Sequence, residues 1–160
     1  MRYLFGILIA GAVVLYWLSQ NDRASNGAVK VYSSRDINVQ LYEISRRTSV
    51  EFRSTYDQRN TDITVDFRPL SRPDADAVSY AYRSHVDISP SAPRDNLTDI
   101  LVHEFLHLAG EPHSGNPNSA IYSHSGSGGQ LTQEQIERLR ALAGASAVDR
   151  WRNQGRALGW

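Results

Sequence analysis

Cysteine is missing from this 160-residue chain, so disulfides cannot contribute to its stability. Methionine occurs once, as the first residue. An excess of either charge is missing too: 17 basic residues balance 17 acidic ones, which leaves no basic footprint for a nucleic acid. What remains is globular in character, 41% hydrophobic and 21% charged, and the length suits one domain of ordinary size.

Histidine is also scarce, yet three of the five fall within residues 103–113, in the order His103, Glu104, His107, Gly110, His113. Two histidines four apart lie one turn from each other on one helix face, so both imidazoles can reach one metal ion. Gly110 can take the left-handed conformation that ends a helix, after which the chain turns back and offers His113 as a third ligand. Three protein ligands leave the fourth tetrahedral position to water, the layout of a catalytic zinc rather than a structural one. A bare pair of histidines at this spacing also occurs on ordinary amphipathic helices. The added glycine and third histidine cut chance matches by a further factor of roughly 1,000.

The expected cofactor is one catalytic Zn²⁺, which would lower the pKa of a water to about 7 and polarise a carbonyl. Glu104 follows the first ligand, where its carboxylate can reach the water without binding the metal. Its expected role is general base, then proton carrier to the leaving amine. The reaction class is hydrolysis of a peptide or related amide bond.

The residues after this motif carry a family resemblance. His113 and Ser114 are followed by Pro117 and by Ser119, Ala120, Ile121 and Tyr122. The segment resembles the matrixin branch of the metzincin metallopeptidases, with its histidine-serine pair, proline and alanine-leucine-methionine-tyrosine turn at the same offsets. Residues 131–144 are similar to the last helix of matrixin catalytic domains, and residues 62–67 to a sheet strand of that family. The likeness spans roughly residues 29–144 and is sharpest from Asn96 on.

The resemblance implies an α+β domain: a twisted mixed sheet of about five strands, a zinc-site helix and a C-terminal helix. It implies that Ile121 stands at the position of the turn methionine, an apolar floor under the metal that does not bind it. Isoleucine keeps the apolar contact but is stiffer at χ1. Tyr122 is expected to pack as a wall of the S1′ pocket, with contact to substrate as the alternative. Residues 77–82 (Ala77, Val78, Ser79, Tyr80, Ala81 and Tyr82) are the best match for the family's edge strand, which pairs antiparallel with the substrate backbone. Without cysteine, the cysteine switch of matrixin precursors is excluded. Only His85 and His124 remain outside the motif, too few for the second, structural zinc of vertebrate matrixins. His85 is expected at the surface and His124 in a solvated loop. Asp74 and Asp76 could take calcium, but two loop aspartates are ordinarily just solvated.

Residues 1–19 are expected to form a transmembrane or signal helix, because the run from 3 to 18 is uncharged and apolar. As a helix that run covers about 24 Å, short for a membrane span, with Tyr3 at one end and Tyr16 and Trp17 at the other as interfacial anchors. An uncleaved signal anchor is favoured over a cleaved signal peptide, since the best small-residue site, Ser25 to Gly27, is distant from the run. Residues 20–28 read as a tether, 29–146 as the domain, and 147–160 as a tail without a motif.

Within the domain, Val29 and Val31 start a strand, and Asp36 can cap a helix carrying Ile37, Leu41 and Ile44. Short strands are expected near Val50 to Phe52, over Ile63, Val65 and Phe67, over Val78, Tyr80 and Tyr82, and over Val86 and Ile88. The zinc helix should begin near Pro93 to Asn96, with Leu97, Leu101, Phe105 and Leu108 on the stripe opposite the ligands. Thr132 and Gln135 form a capping box and Leu131 and Ile136 a hydrophobic staple. Residues 123–129, rich in serine and glycine, read as a flexible loop. The whole reads as a monomeric, membrane-tethered or secreted zinc endopeptidase on the non-cytosolic side of a membrane, acting on peptide or protein. The competing readings are a zinc amidase on cell-wall peptides and a catalytically silent, membrane-tethered zinc-binding protein.

Overall fold

Alternation of β-branched and polar residues builds the sheet. In strand β1 (Val29–Ser33) the valines Val29 and Val31 are fully buried, and in β3 (Ile63–Phe67) Ile63 and Val65 are too. β2 (Phe52–Ser54), β4 (Ala77–Tyr80) and β5 (His85–Ile88) complete a five-stranded mixed sheet in the order β2-β1-β3-β5-β4. Every neighbouring pair is parallel except β4 against β5. This is a computed structural model, and it describes residues 27–122 and 129–144. The expected apolar segment, residues 20–26 of the tether, His124 with residues 123–128, and the tail lie outside the described residues. Among the described residues no helix is long and apolar enough to cross a membrane.

Parallel neighbours need a crossover, and helix α1 (Asn38–Thr48) supplies it between β1 and β2. Its apolar stripe, Leu41 and Ile44, is buried. Asp36 accepts the Asn38 N–H at 3.0 Å, so it acts at the helix start, although the helix itself begins one residue after Ile37. Helix α2 (Leu97–Leu108) follows a short 3₁₀ turn just after Pro93, where a helix start was expected. Leu101, Phe105 and Leu108 have no exposed surface, and Phe105 stacks on Phe52 of β2 at 5.6 Å between ring centroids. The helix ends at Gly110, whose φ of 90° no β-carbon-bearing residue would adopt cheaply.

Helix α3 (Gln133–Arg140) carries the expected capping box. The Gln135 N–H donates to Thr132 Oγ1 at 3.2 Å, and the Thr132 N–H donates to Gln135 Oε1 at 3.0 Å. Leu131 and Ile136 both pack against the core.

Two strands differ from expectation. β2 lies at Phe52–Ser54 rather than 50–52, because Val50 and Thr48 are occupied in closing the end of α1. β4 stops at Tyr80: Ala81 and Tyr82 belong to a 3₁₀ turn, closed by the Ser84 N–H donating to the Ala81 carbonyl. Tyr82 is consequently half exposed instead of part of a strand. Val78 and Tyr80, expected in the core, are only partly buried, and the neighbour that packs on the core is Ala77.

Candidate metal centre

Helix α2 presents His103 and His107 one turn apart, and the chain past Gly110 returns His113 to them. The three Nε2 atoms stand 3.1, 3.1 and 3.3 Å from one another. A tetrahedral zinc with N ligands at 2.0–2.1 Å would hold them about 3.3 Å apart.

The hydrogen bonds around the rings decide what these nitrogens can do. His103 Nδ1 lies 3.1 Å from the Ala120 carbonyl and His107 Nδ1 lies 2.8 Å from the Glu111 carbonyl. A carbonyl only accepts, so each Nδ1 carries the proton and each Nε2 is left as a bare lone pair. Lone pairs cannot hydrogen-bond to one another. Their convergence is a site for a cation, and neutral imidazoles are the donors zinc selects. Burial also keeps the rings neutral: it lowers His103 below the usual histidine value and His107 to about 4. The residues fit one zinc ion.

Glu104 is buried beside this cluster. Burial lifts its pKa to about 7, against the pull of the Ser79 hydroxyl and backbone N–H, which both donate to its carboxylate. The register of the sheet explains the contact. The Ser89 N–H donates to the Asp76 carbonyl at 2.8 Å, which makes 76/89, 78/87 and 80/85 the hydrogen-bonded pairs of the β4–β5 ladder. Val78 and Tyr80 therefore turn their backbone groups toward β5, while Ala77 and Ser79 turn theirs to the free edge. Of the six residues expected to form a substrate-pairing strand, Ala77 and Ser79 are the two of β4 whose backbone groups point to the free edge, and the Ser79 N–H already meets Glu104. Among the described residues no strand covers this edge.

Ile121 is 2% exposed and belongs to the core, directly after the carbonyl that orients His103. Tyr122 is partly buried, its N–H donating to the Ser119 carbonyl, and it bridges to Ser114. Past His113 a cleft of about 540 Å³ opens between the turn and the start of α3, lined by Ser114, Asn118, Gln130 and Glu134 among others.

The surface placement expected of His85 does not hold. Its side chain is 15% exposed and bonds Asp87 Oδ1 at 2.7 Å, while Arg68 holds Asp87 Oδ2 at 2.6 Å. Asp66 and Asp87 are register partners on β3 and β5, which places both carboxylates beside this histidine. Arg68 pairs with Asp87, the more buried of the two carboxylates, so one of the two negative charges is balanced within the cluster. Asp74 is exposed and pairs with Arg72 at 3.6 Å, remote in character from a calcium cage.

No protein-family model and no curated protein matches the sequence. Solved structures are similar, two of them as follows. An archaemetzincin from Methanopyrus kandleri superposes with a TM-score of 0.53 at 10% identity, over 75% of this chain and 98% of that one. A zinc-dependent peptidase from Methanocorpusculum labreanum gives a TM-score of 0.41 at 14% identity, over 71% and 98%. The first likeness establishes a shared fold.

Proposed function

We propose that this protein is a zinc-dependent endopeptidase of the metzincin type, resembling the matrixins in its histidine motif and the turn that follows it. One observation carries the reading: three imidazole Nε2 atoms converge beside a buried carboxylate, under the free edge of a sheet, and carbonyl partners leave two of them, on His103 and His107, as lone pairs. The name of the archaemetzincin structure agrees with it.

Zinc held by His103, His107 and His113 would supply a Lewis acid for the substrate carbonyl and acidify the attacking water. Glu104 takes the proton of that water on its carboxylate and delivers it to the departing amine nitrogen. Ser79 holds the carboxylate in place through its two donors. The outward N–H and carbonyl of Ala77 and the outward carbonyl of Ser79 bind the substrate as an added antiparallel strand, which demands an extended peptide and little of its side chains. The Ala120 and Glu111 carbonyls keep two ligand rings turned inward. Residues 3–18 support a tethered location with the domain on the non-cytosolic side. Carbonate extraction of membranes should leave the full-length chain in the pellet, and recovery in the supernatant would count against a tether.

The full-length, zinc-loaded protein should cut internal bonds of a quenched peptide library and leave purified peptidoglycan unchanged. Release of wall peptides without any library cleavage would favour the amidase reading instead.

A further inference from the structure

Gly129 ends a serine- and glycine-rich stretch, yet its place in the fold is tightly determined. A β-carbon there would lie 2.3 Å from the Ser119 carbonyl carbon, 2.5 Å from the Ser119 oxygen and 2.5 Å from the Ala120 nitrogen. Those three atoms are one peptide unit, so the Gly129 α-carbon rests on the Ser119–Ala120 peptide. The Gln130 N–H fixes the approach by donating to the Asn118 carbonyl at 2.9 Å, within a parallel bridge between Ser119 and Gln130.

That peptide leads directly to the metal site. The next carbonyl, Ala120, accepts from His103 Nδ1 at 3.1 Å and so sets both the tautomer and the angle of this ring. The turn has little freedom to yield. Ile121 is anchored in the core, its N–H reaches Ser119 Oγ at 3.4 Å, and its carbonyl accepts the Ser114 N–H at 3.0 Å. A β-carbon at position 129 would need the peptide to retreat by about 1 Å to reach ordinary contact near 3.4 Å. The Ala120 carbonyl moves with it.

We infer that Gly129 is a positioning residue for the metal site, required without a side chain so that the Ala120 carbonyl can orient His103. The inference rests on the zinc reading above. Gly115, in the same segment, supplies the control, since nothing lies within 4 Å of a β-carbon built there and its φ is unexceptional.

The test measures zinc affinity by chelator competition, and the visible absorption of the cobalt-substituted protein, for full-length wild type, Gly129→Ala and Gly115→Ala. Gly129→Ala should keep the wild-type circular dichroism, bind zinc about 10- to 100-fold more weakly and shift the cobalt bands. Gly115→Ala should match wild type. A folded Gly129→Ala protein with unchanged affinity and cobalt spectrum would overturn the inference. If Gly129→Ala does not fold, Gln130→Pro removes the N–H that holds this stretch on Asn118 without adding a side chain over the peptide. It should weaken zinc binding in the same direction, and unchanged affinity would again overturn the inference. A wild-type protein that binds no zinc would overturn the metal reading itself, and the inference with it.

Discussion

Ser79 and Asp87 show how much of the chemistry depends on which way a single strand residue faces. Ser79 directs its N–H and hydroxyl at Glu104 because it occupies a non-hydrogen-bonded position of the edge strand. Ser79→Ala should therefore retain one zinc per chain while kcat falls on the order of tenfold, through a less well-held carboxylate. Equal kcat in steady-state kinetics would remove Ser79 from the mechanism. Burial raises the Asp87 pKa, but hydrogen bonds from Arg68 and His85 outweigh it and leave the carboxyl below its ordinary 3.8. The folded protein then binds that proton less readily than the unfolded chain. The stabilisation is present above 3.8 and is lost as pH falls through the lower, folded value. Asp87→Asn should cost about 1–3 kcal/mol at pH 7 and flatten the loss of stability in acid. Urea unfolding across pH, with chelator present so that zinc release does not overlap, checks both. Neither contact was legible from the chain. Alternation marks two faces of a strand but not which face meets a helix or which edge stays open.

At the scale of elements, signals confined to a few neighbouring residues translated directly. Thr132 and Gln135 close their box within one helical turn, and Gly110 ends α2 where the third histidine must turn back. The spacing of His103, His107 and His113 is of this kind, which is why the three nitrogens could be expected together. The end of β4 is different, because the residue that bends the chain is Ser84, at φ 51° and without a glycine to announce it. Its hydroxyl is buried without a hydrogen-bond partner. Ser84→Gly should relieve roughly 1–2 kcal/mol of left-handed strain together with the orphan hydroxyl. Against that stands about 0.5–1 kcal/mol of added chain entropy, for a net gain of about 1 kcal/mol or more. Thermal unfolding should show a midpoint raised by several degrees, and a lower midpoint would mean the serine contributes something the geometry does not reveal. Gly129 misled in the opposite direction, since a run of serines and glycines reads as flexible while its last residue is held against a peptide bond.

At the scale of the whole molecule, a parallel sheet with one antiparallel edge strand lies against a helix that is buried along most of its length. The arrangement brings a cation site, a buried carboxylate and an open sheet edge to one place. A fold shared with an archaemetzincin at 10% identity fits this architecture, because strand alternation and helix stripes tolerate almost any exchange of apolar residues. Removing the metal should be felt by the fold as well. Zinc binds only the native arrangement, so chelator should lower the unfolding midpoint and added zinc should restore it. The most direct test of the peptidase reading is the turnover of an internally quenched peptide by wild type and by Glu104→Ala, each shown to hold one zinc per chain. The expected result is chelator-sensitive cleavage by wild type and a loss of 100-fold or more, roughly what general-base catalysis contributes, in the variant. Cleavage undiminished in zinc-loaded Glu104→Ala would contradict it.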